Sequence, residues 1–161
     1  MKKRPGDLAV FLSRQKARSV ADKHSNALII AADTFIVFRK KVLGKPHTAR
    51  EAMRMLTELN GRVHMVITGF TVLDTETGKE ISGYAETRVY FRKLALEEIE
   101  SYVKSGEPLD KAGGYAIQGL GRALVQRIEG DFYNVVGLPL DMLVECLKKF
   151  GVETSWRPLP L

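Results

Sequence analysis

Two long β-branched and aromatic segments, Val63 to Leu73 and Ile81 to Phe91, flank the polar stretch Asp74-Thr75-Glu76-Thr77-Gly78-Lys79, and no other feature constrains the fold as much. Val, Ile, Thr, Tyr and Phe suit the pleated strand, and a short glycine-containing turn between two such runs makes them antiparallel neighbours. A third apolar run, Ala27 to Phe38, is nearly unbroken and rich in Ile, Val and Phe, which fits a strand covered on both faces.

Helical periodicity fills the rest. From Pro5 to His24 the apolar residues Leu8, Phe11, Leu12, Val20 and Ala21 fall near helical spacing, with Pro5 acceptable in a first turn. Thr48 and Glu51 form a capping pair ahead of Ala49, Ala52, Met53, Leu56 and Leu59, and Asn60-Gly61 ends that helix. A further helix is predicted from about Ala95 to Ser105, burying Ile99, Tyr102 and Val103 and stopping at Gly106, and a strand near Ala123 to Ile128. Leu140, Leu143, Val144 and Leu147 mark a last helix ended by Gly151, and residues 152–161 read as a loose tail. With no repeat or linker, residues 1–161 are expected to form one α/β domain with a mixed, elongated twisted sheet flanked by helices.

Composition narrows the partners. No apolar run approaches the ~20 residues of a membrane span, and Met1-Lys2-Lys3-Arg4 leads into Pro5-Gly6-Asp7 without an apolar signal core, so a cytoplasmic protein is expected. Cys146 is alone, which excludes an internal disulfide and suits a small packing residue. A net charge of +6 makes polyanions plausible partners. The basic clusters at 2–4, 39–41 and 148–149 lack interleaved aromatics, so a small phosphate-bearing ligand is favoured over nucleic acid.

The residues that could carry chemistry are few. Asp33 interrupts an apolar strand run, and a carboxylate there must pair, bind a metal or face a cleft; alternatively it caps a turn that breaks the run in two. Thr34 adds a hydroxyl and a backbone N–H. Gly44-Lys45-Pro46 aims a cation just ahead of a helix N-terminus, which suits phosphate, although such a tripeptide also serves as a surface turn. Lys16 lies on the first helix among Arg14 and Arg18, where a solvated basic face is the simpler reading. Asp110-Lys111-Ala112-Gly113-Gly114-Tyr115-Ala116-Ile117-Gln118-Gly119 combines an acceptor, a cation, an amide and three glycines, reading either as a ligand loop or as a turn beside a solvated ion pair. His24, His47 and His64 lack metal-ligand spacing, no nucleophile elbow or P-loop occurs, and Gly119-x-Gly121 stops short of a dinucleotide fingerprint. A strand carboxylate with several lysines and a glycine-rich loop favours metal-assisted attack on a polyphosphate.

In order, Lys16-Ala17, Ala31-Ala32-Asp33-Thr34, Gly44-Lys45-Pro46, Ala52-x-x-Met55-Leu56, His64-x-Val66-x-Thr68-Gly69, Glu107-Pro108-x-Asp110-Lys111-Ala112-Gly113, Ile117-Gln118-Gly119 and Asn134-Val135-Val136-Gly137-Leu138-Pro139 closely resemble the Maf family of nucleoside triphosphate pyrophosphatases. The resemblance implies a Maf or inosine-triphosphatase-like fold and hydrolysis of a nucleoside triphosphate to the monophosphate and pyrophosphate with Mg²⁺ or Mn²⁺. It also implies a homodimer. On it Asp33 matches the catalytic carboxylate and a metal ligand, Lys16, Lys45 and Lys111 the phosphate-side cations, and Thr34 and Gln118 positions tied to substrate choice. Asp110 belongs to the same substrate-binding loop. That loop resembles the branch acting on dTTP and UTP. Family members open with a strand and Ser-x-Ser-Pro-Arg-Arg, which this sequence lacks before Pro5: either the true start lies upstream, or the protein is shortened, and in the second case a nucleotide-binding or regulatory protein with impaired catalysis is the alternative expectation.

Overall fold

The structure is a computed structural model and describes residues 4–155. The chain runs α1 (Pro5–Ala21), β1 (Leu28–Phe38), β2 (Lys41–Leu43), α2 (Ala49–Leu59), β3 (Val63–Asp74), β4 (Glu80–Phe91), α3 (Leu96–Lys104), β5 (Val125–Glu129), α4 (Phe132–Val136) and α5 (Leu140–Lys148). Three short 3-10 turns, Glu107–Asp110, Ala112–Gly114 and Gly119–Leu124, join α3 to β5. The expected tail lies partly outside the described residues; within them, Val152 still donates to the Leu147 carbonyl at 3.1 Å.

β3 and β4 form the expected long hairpin, from Val63 opposite Tyr90 to Leu73 opposite Glu80, and they occupy the middle of a sheet ordered β2-β1-β3-β4-β5. The α/β architecture with one elongated sheet between helices is as anticipated, but the pairing is antiparallel throughout rather than mixed. The reason lies in β2 and α2. After β2 turns back along β1, α2 returns the chain to the Phe38 end of β1, and β3 can then only run the other way, with Met65 opposite Val37. β1 is continuous through Asp33, which excludes the turn alternative.

Side chains alternate across a strand, so the two sheet faces collect different helices. Phe35 and Ile67 meet α1 on one face, while Ile36, Val66 and Val89 pack with Ala52, Leu56 and Ile99 of α2 and α3 on the other. α5 covers the far end of that second face through Leu143 and Cys146 against Phe70 and Val72. The N-terminus of α2 forms as its sequence requires, with the Glu51 N–H donating to Thr48 Oγ1 at 3.1 Å and the Glu51 carboxylate accepting from the His47 N–H at 2.7 Å.

α1 departs from expectation in the face it buries. Phe11 and Val20 are exposed and Leu8 and Leu12 only half-buried, whereas Gly6, Ala9, Ser13 and Ala17 are buried. Small residues let the helix lie directly on the sheet. A Cβ on Gly69 of β3 would fall 2.2 Å from the backbone carbon of Ala9, so glycine is required for that approach. Ser13 completes the contact, its hydroxyl 2.8 Å from that of Thr71.

Candidate active site

Asp33 stands at the middle of β1 opposite Gly69, where α1 lies directly against the sheet. Seven residues on from Ala9, two helical turns, Lys16 lies on the same side of α1 and reaches over to β1. Its ammonium forms an ion pair with the Asp33 carboxylate and donates to the Ala32 carbonyl at 3.2 Å. Asp33 is thus a partly buried carboxylate, its side chain 21% exposed, with a cation from a different element as its partner.

Asp33 and Thr34 point to opposite faces of β1, yet both line one cleft of about 440 Å³. β2 pairs only with Ile36, Val37 and Phe38, so among the described residues the preceding part of β1 has no strand on its outer edge, and the cleft wraps around that edge. Lys16, Asp33, Thr34, Lys45, Asp110, Lys111 and Gln118, the seven candidate residues, all line it.

The loop from Asp110 to Gly119 forms one wall. Lys111 Nζ donates to Asp110 Oδ1 at 2.8 Å, and this bond holds the exposed Asp110 carboxyl below its ordinary range. Gly113 adopts φ +68° and lies against the core, where a Cβ would meet the Ile36 side chain at 2.5 Å. Its N–H donates to the Gly44 carbonyl at 2.9 Å, which ties the segment carrying Lys111 to the segment carrying Lys45. Lys45 has no ion-pair partner among the described residues. Three lysines and two carboxylates on one cleft leave it net positive, as a polyanion site requires.

Val135, Val136 and Gly137, which the sequence did not mark as site residues, form a further part of the wall. Asn134 fixes that wall from beneath. Fully buried, it donates from Nδ2 to the Val66 carbonyl at 3.1 Å and to Thr87 Oγ1 at 2.9 Å. Thr68 donates to the Asn134 carbonyl at 2.9 Å and its oxygen lies 2.9 Å from the Thr34 hydroxyl, so Thr34 is held by this network. Below the loop, buried His64 shares a 2.7 Å hydrogen bond between Nε2 and the Tyr115 hydroxyl, and burial lowers the imidazole to about 4. His64 and Asn134 stand in recognisable motifs, but only their depth reveals what they support.

No group of three or more His, Cys, Asp or Glu side chains able to hold a metal occurs among the described residues. The donor set at Asp33 fits Mg²⁺ or Mn²⁺ only where phosphate oxygens and water complete the shell, as is usual for ions that accompany a polyphosphate. No described helix is long and apolar enough to cross a membrane.

The chain is 51% identical over 149 residues to a dTTP/UTP pyrophosphatase of Methanosarcina barkeri, covering 92% of this chain and 76% of that protein. It is 48% identical over 147 residues to a dTTP/UTP pyrophosphatase of Methanococcoides burtonii, covering 91% and 75%. A protein of the same description from Thermoanaerobacter sp. is 49% identical over 148 residues, covering 91% and 78%. Residues 1–150 match the family described as Maf-like protein, and the chain belongs to that family.

Proposed function

We propose that this protein hydrolyses dTTP and UTP to the monophosphate and pyrophosphate. One observation carries the reading: Asp33 lies in a single cleft with Lys16, Lys45 and Lys111, while Gln118 lines the same cleft. Relatives about half identical over nine-tenths of the chain are dTTP/UTP pyrophosphatases, which supports the same substrate class here. In this reading the three ammonium groups neutralise and orient the phosphates, and Asp33 accepts a proton from the attacking water. Thr34 and Gln118 meet the nucleoside, the Gln118 amide offering both a donor and an acceptor to a pyrimidine edge. Asp110 sets the position of Lys111. A divalent cation, Mg²⁺ or Mn²⁺, held at Asp33 with the phosphates would add further charge neutralisation. A cytoplasmic homodimer without a nucleic-acid partner completes the proposal, in keeping with the family resemblance and the scattered basic residues.

The experiment is incubation with dTTP or UTP and Mg²⁺ or Mn²⁺, with product identification. Monophosphate and pyrophosphate are expected. Orthophosphate with a diphosphate product would refute the mechanism, and full activity of Asp33→Asn would remove Asp33 from it. Tight nucleotide binding without turnover would replace catalysis by a binding or regulatory role.

A further inference from the structure

Glu107 stands at the start of the loop that walls the cleft and binds the far end of that same loop. Its Oε1 accepts from the Gly121 N–H and the Tyr102 hydroxyl, each at 2.9 Å, and its Oε2 accepts from the Leu120 N–H at 3.1 Å. Gly119 makes this approach possible. It adopts φ +72°, and a Cβ there would lie 2.9 Å from Oε2. On the other side Tyr102 is buried in α3, so the carboxylate links a core helix to the backbone that follows Gln118. Partial burial would raise the Glu107 carboxyl, but the donors from Gly121, Tyr102 and Leu120 outweigh it and hold the group ionised, hence purely an acceptor.

Gln118 itself is exposed, and among the described residues no hydrogen bond orients its amide. That matters for reading a base. Uracil and thymine present an N3–H donor beside an O4 acceptor, and cytosine presents an N4–H donor beside an N3 acceptor. A free carboxamide matches either pattern after a half-turn, so Gln118 alone cannot tell them apart. Main-chain groups cannot exchange donor for acceptor in this way. Ala116, Ile117 and Gln118 line the cleft, with Ile117 buried ahead of Gln118 and the Glu107 clasp just behind it. We propose that Glu107 is a positioning residue for base selectivity: it fixes the main-chain register of Ala116 to Gln118 so that the cleft prefers a uracil or thymine edge to a cytosine edge. The proposal rests on the pyrimidine triphosphate reading above and adds to it the residue that sets discrimination without touching the nucleotide.

The test is equilibrium dialysis of dTMP, dCMP and inorganic tripolyphosphate against the wild type, Glu107→Ala and Glu107→Gln, with dTTP hydrolysis by the wild type run alongside. The wild type is expected to prefer dTMP. In Glu107→Ala that preference falls by about tenfold or more, consistent with loss of charged hydrogen bonds, while tripolyphosphate affinity is kept. Glu107→Gln keeps the size and one acceptor oxygen and should fall between; it carries the test if the alanine variant does not fold. An unchanged dTMP preference in both variants overturns the proposal, and so does a parallel loss of tripolyphosphate binding, which would mark general damage. Equal binding of dTMP and dCMP by the wild type also overturns it, whereas absence of dTTP hydrolysis alone refutes the enzymatic reading and leaves the binding ratio to decide the role of Glu107.

Discussion

Nε2 of His64 and the hydroxyl of Tyr115 are 2.7 Å apart beneath the cleft, and among the described residues no other hydrogen bond reaches the His64 ring, whose Nδ1 is buried without a partner there. β3 and the loop wall are joined there by a neutral imidazole, because burial lowers its pKa from 6.5 to about 4.

Above pH 6.5 the imidazole is neutral folded and unfolded, and its contribution to stability is fully present. As pH falls from 6.5 toward 4 the unfolded chain binds a proton that the folded chain refuses, and about 3 kcal/mol is lost in all. Urea unfolding between pH 7.5 and 4.5 measures this. Subtracting the same profile for His64→Gln isolates the imidazole from the carboxylates, and two parallel profiles would contradict the assignment.

Gly69→Ala should loosen α1. Its new Cβ would lie 2.2 Å from the Ala9 carbonyl carbon and 2.3 Å from its oxygen, both backbone atoms that no side-chain rotation can move aside. The expected cost is about 1–3 kcal/mol, measured by chemical denaturation. Because α1 carries Lys16, the triphosphate KM should rise with it. A stable variant with an unchanged KM would show that α1 need not lie so close.

Asn134→Asp should destabilise more than Asn134→Ala. The aspartate would turn two acceptors, the Val66 carbonyl and a Thr87 hydroxyl that already donates to the Asp131 carbonyl, toward a third. The alanine leaves groups unsatisfied at about 1–3 kcal/mol. Thermal unfolding of both variants ranks them, and the reverse order would argue against the network as drawn.

Lys45→Ala should raise the KM for dTTP by about tenfold, the scale of one charged hydrogen bond, with a smaller change in affinity for the monophosphate product. Steady-state kinetics and product inhibition give the two numbers. Equal losses for both ligands would place Lys45 at the phosphate nearest the nucleoside.

The sequence makes the sheet legible where residue type and burial coincide. The hairpin from Val63 to Phe91 and the run through Asp33 read correctly because β-branched and aromatic side chains both prefer strands and fill the core. The buried face of α1 does not read, because Gly6, Ala9 and Ala17 bury almost nothing of their own and signal only that something comes close. The three-residue strand at Lys41–Leu43 and the five-residue helix at Phe132–Val136 are too short to show a period. At the cleft, the charged and amide side chains that line it carry their chemistry in their type. Glu107 and Asn134 act on main-chain groups far along the chain, and only the fold brings these within reach.

The bond from the Gly113 N–H to the Gly44 carbonyl joins neighbours of Lys111 and of Lys45. However the two lysine stems rotate, their anchor points are pinned by peptide groups one residue away on one side and two on the other. The pair therefore responds to strain as a single caliper jaw, and what opens it is a change in backbone, not in side chain.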